Sequence, residues 1–222
     1  MAVTFDASAS DNGSKGLFDG STLSTQFTHV SGAGTDRMAI VLGKYHDSSS
    51  TASGSITIGA SFGVQPMTAL GSVMFNNGTG DKATLFYLAN PPTGNQTVLV
   101  TATAPQVNRG IIGISMTFAG VKGLGPLASS AGTGSVNATI TYGGFANGLV
   151  VTAMGWASPG MFSGPGSVGV AYKAQAEGTR DSHMVADTAN GPYTQTGTAQ
   201  DATPWGILGV SLVGDSPFFA MM

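Results

Sequence analysis

The chain has 222 residues, of which 41% are hydrophobic and 9% charged, with 34 glycines and no cysteine. Charged residues make up roughly a quarter of an ordinary soluble domain, so this surface must be built from Ser, Thr, Asn, Gln and Gly, while Val, Ile, Leu, Phe and Met recurring along the whole length argue against disorder. A net charge of −3 with eight Lys and Arg supplies no cluster to neutralise a row of phosphates, which argues against nucleic-acid binding.

Without cysteine, disulfides and thiolate metal sites drop out, and the redox compartment stays open. The first residues, MAVTFDASAS, lack a basic segment followed by an apolar core, and no apolar run approaches bilayer length. Sec export of the chain as written and membrane insertion are therefore not expected. One domain is expected over residues 1–214, with 1–20 as a candidate arm and 215–222 as an apolar tail.

In chain order, Val3, Phe5, Ala7 and Ala9 alternate with Thr4, Asp6 and Ser8, and Leu23, Thr25, Phe27 and His29 alternate with more polar neighbours. Period-two alternation is the mark of a half-buried strand. Further strands are expected at 37–45, 55–61, 66–75, 83–89, 97–104, 111–118, 135–142, 148–156, 167–174, 183–188, 193–198 and 205–213. Turn sequences such as DNGSKG, NNGTGD, PPTGN and ANGP separate many of them, because Gly, Asn and Pro supply the dihedrals that tight turns need.

No segment of about twelve residues shows clean 3.6 periodicity free of Gly or Pro, which disfavours a βαβ arrangement. The expectation is an all-β fold, an antiparallel two-sheet β-sandwich, jelly-roll-like or Ig-like, of roughly a dozen strands with little or no helix.

The segment KATLFYLANPPTGNQTVLVTATA, residues 82–104, carries the sharpest local prediction. Both faces of its first run are apolar, as in a central strand packed on both sides. Pro91 and Pro92 cannot donate ladder hydrogen bonds and end that strand. Gly94 and Asn95 can adopt positive φ and turn the chain into a second strand, so a rigid hairpin is expected.

Few motifs carry chemistry. GASFG, residues 59–63, matches the nucleophile elbow around Ser61, but VQPMTALG follows where a helix is required, so strand then turn is the better reading. GPGSVG, residues 164–169, matches the dinucleotide pattern, yet the strand-like VAYKAQ follows instead of a helix, and no cofactor is expected. His29, His46 and His183 have no metal-ligand spacing. Asp11, Asn12 and Asp19 lack the spacing and closing Glu of a calcium loop.

The acidic residues are scattered, so no glycosidase pair can be proposed from spacing. The sequons at Asn77, Asn95 and Asn137 read as turn residues, because glycosylation requires a secretory route. Catalytic, metal and cofactor residues are therefore expected to be absent, and the chain is read as a non-enzyme.

Two features point to contact. Trp156 and Trp205, with Tyr87, Tyr172 and Tyr193, are candidates for a sugar-stacking platform, against ordinary core packing. In the tail DSPFFAMM, Phe218, Phe219, Met221 and Met222 place four large apolar side chains after Pro217. Such a tail folds back on its own sandwich or docks into a neighbouring subunit.

The stretches RMAIVLGKY, SITIGASFGVQPMTALG, LFYLANPPTGNQTVLVTATA, ISMTFAGVKGLGPLASS, NGLVVTAMGW, SVGVAYKAQ and WGILGVSLV span about residues 37–213. Together they resemble a β-sandwich family of tailed-phage virion proteins, also seen as modules in bacterial surface proteins. The segment through Asp19 and the tail from Asp215 depart from it.

The resemblance implies a structural virion protein, a capsid decoration protein or a minor tail protein. Its expected partners are other virion subunits, contacted through strand edges and apolar termini, with further copies of itself in a homo-oligomer. It would assemble in the host cytoplasm and be exposed on the particle surface. The family's NPPTG hairpin is structural, so no catalytic residue transfers. The alternative is a host-adhesion module binding a surface glycan through Trp156 or Trp205.

Overall fold

The computed structural model describes residues 1–11, 17–19, 22–47, 56–75, 80–103, 109–143, 147–156, 172–176, 180–188 and 191–215. The first strands are β1 (Thr4–Ser10), β2 (Leu17–Asp19), β3 (Thr22–Ser31), β4 (Met38–Asp47), β5 (Thr57–Phe62) and β6 (Gln65–Pro66). Next come β7 (Thr68–Phe75), β8 (Asp81–Ala89), β9 (Gly94–Thr103), β10 (Arg109–Ala119) and β11 (Gly123–Leu124). The last are β12 (Ala128–Tyr142), β13 (Leu149–Trp156), β14 (Tyr172–Ala176), β15 (Arg180–Thr188) and β16 (Tyr193–Val213).

The all-β antiparallel sandwich expected from the sequence is present, and its sheets number three where two were expected. The first sheet runs β1-β10-β4-β8-β7 and the second β2-β3-β9-β5-β6; the third runs β11-β16-β13-β15-β14, with β12 pairing β16. The first sheet lies in the middle.

Strand β4 shows why. Met38, Ile40 and Leu42 join the core shared with Leu149 and Val151 of β13 and Leu208 and Val210 of β16. The intervening Ala39, Val41 and Tyr45 join a second core with Val98 and Val100 of β9 and Ile58 of β5. In a pleated strand successive side chains point to opposite faces, so a strand apolar at every position needs a sheet on each side. A third cluster covers the far face of β13, where Val150, Met154 and Trp156 pack against Ala138 and Ile140 of β12.

The predicted hairpin at NPPTG is not formed. β8 pairs with β4 and β7 in the middle sheet, whereas β9 pairs with β3 and β5 in the second sheet. The prolines stop β8 as expected, but the chain then crosses between layers. Asn90 (φ 51°) and Gly94 (φ 76°) take the left-handed dihedrals at the two ends of the crossing. Asn95, expected to share that role, lies in the regular part of β9.

Part of the segment considered as an arm is built into the fold. β1 is an edge strand of the middle sheet on β10, with a bulge between Phe5 and Ala7. The extra residue, Asp6, has its carboxylate turned onto the Gly32 amide at 2.8 Å.

Paired mid-strand glycines set how closely the layers approach. Gly43 and Gly113 are cross-strand partners, and Val100 of the facing sheet sits over both. A methyl at Gly43 would lie 2.8 Å from Val100 Cγ1, and one at Gly113 would lie 3.0 Å from Val100 Cγ2. On the opposite side Gly155 and Gly206 are partners, and Phe75 fills their notch, with ring atoms at 3.1 and 2.5 Å from the corresponding positions.

Candidate functional site: polar groups enclosed between the sheets

The side chains with chemical potential lie mainly inside the stack. His29 on β3 is fully buried, its Nδ1 2.7 Å from Ser115 Oγ and its Nε2 3.0 Å from Thr117 Oγ1 on β10. Thr117 donates to Asp6 Oδ2 at 2.8 Å. A carboxylate only accepts, so the direction of the chain follows. Thr117 gives its proton to Asp6 and accepts from His29 Nε2–H, which leaves Nδ1 to accept from Ser115, whose other acceptor, the Ala9 carbonyl, is farther at 3.4 Å.

The imidazole is thereby satisfied in its neutral form. Its pKa is lowered to about 4, by burial first, with the charge of Asp6 opposing. The ring also meets Phe62 edge-on, with centroids 5.2 Å apart.

Ser115, His29 and the Thr117–Asp6 pair reproduce the order of nucleophile, base and orienting group. Ser115 Oγ, however, belongs to a side chain with 0% exposure between two sheets, where no acyl group can reach it. The arrangement acts as a cross-link from β3 through β10 to the bulge of β1.

A second set closes one end of the interface between the first and third sheets. Lys44 on β4 is fully buried; its Nζ donates to the Trp156 carbonyl and lies 5.8 Å from the centre of the Phe75 ring. Two residues on, His46 Nδ1 meets Asp81 Oδ1 at 2.5 Å. Asp81 is the register partner of both His46 and Phe75, so acid, imidazole and ring form one row across three strands. Burying a charge is costly without compensating contacts; the Asp81 carboxylate has the His46 ring, and the Lys44 ammonium has the Trp156 carbonyl and the Phe75 face.

A third network lies on β15 and β16. The Tyr193 hydroxyl is 2.8 Å from Asp187 Oδ2 and 2.7 Å from Gln195 Oε1, while the Thr188 amide donates to Asp187 Oδ1 at 2.8 Å. Tyr193→Phe is expected to cost about 1–2 kcal/mol, because removing the hydroxyl leaves an acceptor on a nearly buried carboxylate unsatisfied. Urea denaturation of the two proteins measures it; equal midpoints would show that water replaces the hydroxyl without loss.

The residues singled out in the sequence are dispersed. Ser61 is half-buried on β5, which runs into a tight turn at Gly63 (φ 62°) and then β6; strand, turn and strand is the context expected there. The three histidines fall in three places, and His183 is buried on β15 opposite Met154 of β13. Among the described residues no group of three or more His, Cys, Asp or Glu converges as metal ligands. Asp11 Oδ2 accepts from the Gly113 amide at 3.0 Å, so it extends the ladder beyond β1. Asn12, Asn77 and the pattern at 164–169 lie outside the described residues.

Both tryptophans of the proposed sugar platform are enclosed, Trp156 with 0% and Trp205 with 8% of its surface exposed. They are register partners on β13 and β16. The Trp205 indole also lies across Gly132 of β12, where an added methyl would come within 2.6 Å of the ring. A stacking platform needs a free ring face, so these two rings do not form one in this chain. Apolar packing against Ile140, Met154 and Ile207 takes that face instead.

Phe218, Phe219, Met221 and Met222 lie outside the described residues. The described chain ends at Asp215, whose carboxylate meets the Met1 ammonium at 2.5 Å and whose amide donates to the Met1 carbonyl at 3.0 Å. The hydrogen bond to the ammonium holds the Asp215 carboxyl below its ordinary pKa.

Reading the sequence missed Ser115, Thr117 and Asp6 as one unit with His29. Polar residues at inward positions of otherwise apolar strands were the available signal. Compared with known proteins, the chain matches no family model, no curated protein and no solved structure.

Proposed function

We propose that this chain is a structural subunit of a tailed-phage particle, most plainly a capsid decoration protein that binds neighbouring virion subunits. One structural observation carries the reading: among the described residues, His29, Lys44 and the His46–Asp81 pair are enclosed within the stack and spent on hydrogen bonds there. With 9% of the chain charged, few charged side chains remain to face outward. That construction suits a protein whose work is contact. The sequence resemblance supplies the particle as its setting. A minor tail protein is the other location the resemblance allows; the glycan-binding alternative loses its two candidate rings to the core.

The bonding residues at the slab's margin bear on how contact is made. β2 and β6 are only three and two residues long, and β1 is bulged, all of which blunt edge-to-edge pairing. Contact through the tail after Asp215 and through sheet faces is the mode this favours.

The test is the copy number of this chain in purified particles of its source, measured by quantitative mass spectrometry against the major shell protein. A copy number that scales with shell subunits is the expected result. A few copies per particle would move the protein to the tail, and absence from particles would overturn the reading. Deleting residues 216–222 is expected to reduce incorporation at least about tenfold, given that a few buried apolar anchors dominate such interfaces. Unchanged incorporation would remove the tail from the contact.

A further inference from the structure

Lys44 and Asp81 are an amine and a carboxyl that are both completely enclosed, each with 0% exposure. They share one face of the middle sheet. Lys44 lies two residues beyond Leu42 on β4 and Asp81 two before Ala83 on β8, and Leu42 and Ala83 belong to the core shared with the third sheet. Lys44 is the register partner of Ala83, and Asp81 that of His46, so amine and carboxyl stand diagonally across the strand pair.

The surroundings confine the amine to that neighbourhood. Its stem runs against Gly155 of the facing sheet, where an added methyl would lie 3.0 Å from Lys44 Cδ and 3.2 Å from Cε. Nζ lies 5.8 Å from the centre of the Phe75 ring, and Phe75 is the register partner of Asp81 on the other side. Diagonal neighbours on one face of an antiparallel pair are roughly 7–8 Å apart. An amide joining these two side chains would place six bonds of about 1.5 Å each between their Cβ atoms, enough to cover that span.

We propose that Lys44 and Asp81 become joined by an amide bond, an intramolecular isopeptide cross-link between β4 and β8. The enclosed pair is then the arrangement of the reactants. The lone pair of the Lys44 amine adds to Asp81 Cγ; the Nζ–Cγ bond forms, one Cγ–O bond breaks, and water leaves. His46 Nδ1, 2.5 Å from Asp81 Oδ1, relays to the departing oxygen the two protons that the nitrogen gives up. The sum is ammonium plus carboxylate giving amide plus water, so no further reactant is needed. The His46 side chain is 12% exposed, which gives the water a way out.

Two physical terms favour the step. As ions the two groups bear the desolvation cost of both charges, whereas an amide bears neither, and its remaining N–H can still donate to the Trp156 carbonyl. Holding the reactants in one enclosed site also replaces a bimolecular encounter by an intramolecular one. In a chain without cysteine, the link would restrict the unfolded state as a disulfide does.

Trypsin digestion of the unfolded full chain, read by mass spectrometry, tests this. An unlinked chain is cut after Arg37, Lys44 and Lys82 and releases residues 38–44. The wild-type chain is expected to resist cutting at Lys44 and to give a fragment 38–82 lighter than its sequence by one water. Asp81→Ala should restore the release of 38–44. His46→Gln should form the link at least about tenfold more slowly after synthesis, since general acid–base catalysis contributes about 10²–10⁴ in rate.

Release of 38–44 from the wild-type chain, with both pieces at their sequence masses, would overturn the inference. So would a fragment 45–82 lighter by one water with Lys44 cut, which would be an imide formed by Asp81 with its own backbone. An unchanged rate in His46→Gln would take the proton relay away from that residue. The wild-type digest decides by itself, so a variant that fails to fold leaves the test intact. The link concerns the chain alone, and its presence or absence is read separately from the copy number in particles.

Discussion

Gly43→Ala is expected to lower the unfolding free energy by about 2–3 kcal/mol, the cost of overpacking a well-filled core. In an exposed strand the same change would stabilise slightly, since alanine restricts the unfolded chain, so the sign is diagnostic. The new methyl would stand 2.8 Å from both Ile58 Cγ2 and Val100 Cγ1, and 3.5 Å from the Phe86 ring. Ile58 and Val100 are buried, at 7% and 0% exposure. Their β-branched methyls sit close to the backbone with little rotamer freedom, so relief requires the two sheets to separate.

A double-mutant cycle locates the cause. Val100→Ala alone loses buried surface, but combined with Gly43→Ala it vacates one of the two colliding positions. A coupling of about 1 kcal/mol in the favourable direction is expected. Urea denaturation of the four proteins measures it. A Gly43→Ala midpoint equal to or above wild type would mean that the notch is not the element that sets the sheet spacing.

The second large effect is on acid stability. His29 keeps a native pKa of about 4 against an ordinary 6.5, so between these values the unfolded chain binds a proton that the folded chain refuses. Stability from this group is complete above pH 6.5 and is lost as pH falls toward 4. The loss amounts to about 3 kcal/mol at the conversion of 1.36 kcal/mol per pKa unit.

Carboxylates titrate over part of the same range, so the comparison is with His29→Asn. That variant is less stable at neutral pH, because Ser115 and Thr117 lose partners, yet its stability should change less between pH 6.5 and 4. Parallel stability–pH curves for the two proteins would refute the assignment. NMR titration of the imidazole gives a direct reading, with the neutral Nε2–H form expected to persist at pH 5.

The position of β1 ties these effects together. Asp6, extruded by the bulge, receives both Thr117 and the Gly32 amide. Acid that charges His29 therefore loosens the join between β3 and β10 at the point where the edge strand is pinned. Hydrogen exchange in β1 should rise before that in β4 as pH falls, since local opening precedes global unfolding.

The sequence by itself determined most of the strands, although the two expected at 193–198 and 205–213 are one, β16. Alternation at Leu23–His29 marked β3 and its inward face, and that at Val3–Ala9 marked β1, though the bulge at Asp6 puts Phe5 and Ala7 on opposite faces; the doubly apolar run at Leu85–Leu88 marked a strand covered on both faces, and the prolines after it marked its end. These are local properties, because side-chain direction in a strand depends only on position along it.

Only the tertiary structure decided what covers each face. The turn after β8 looked like a hairpin because Gly94 and Asn95 can take the dihedrals of a reversal; pairing partners up to six strands away in chain order made it a crossing between layers. Trp156 and Trp205 carried no mark of burial until β12 folded over β13. Gly43, Gly113, Gly155 and Gly206 carry no local sign of their role, since a glycine shows its purpose only when the residue that fills its notch is known. The His29 cross-link joins residues 111 positions apart in sequence at Asp6 and Thr117, a distance that no periodicity spans.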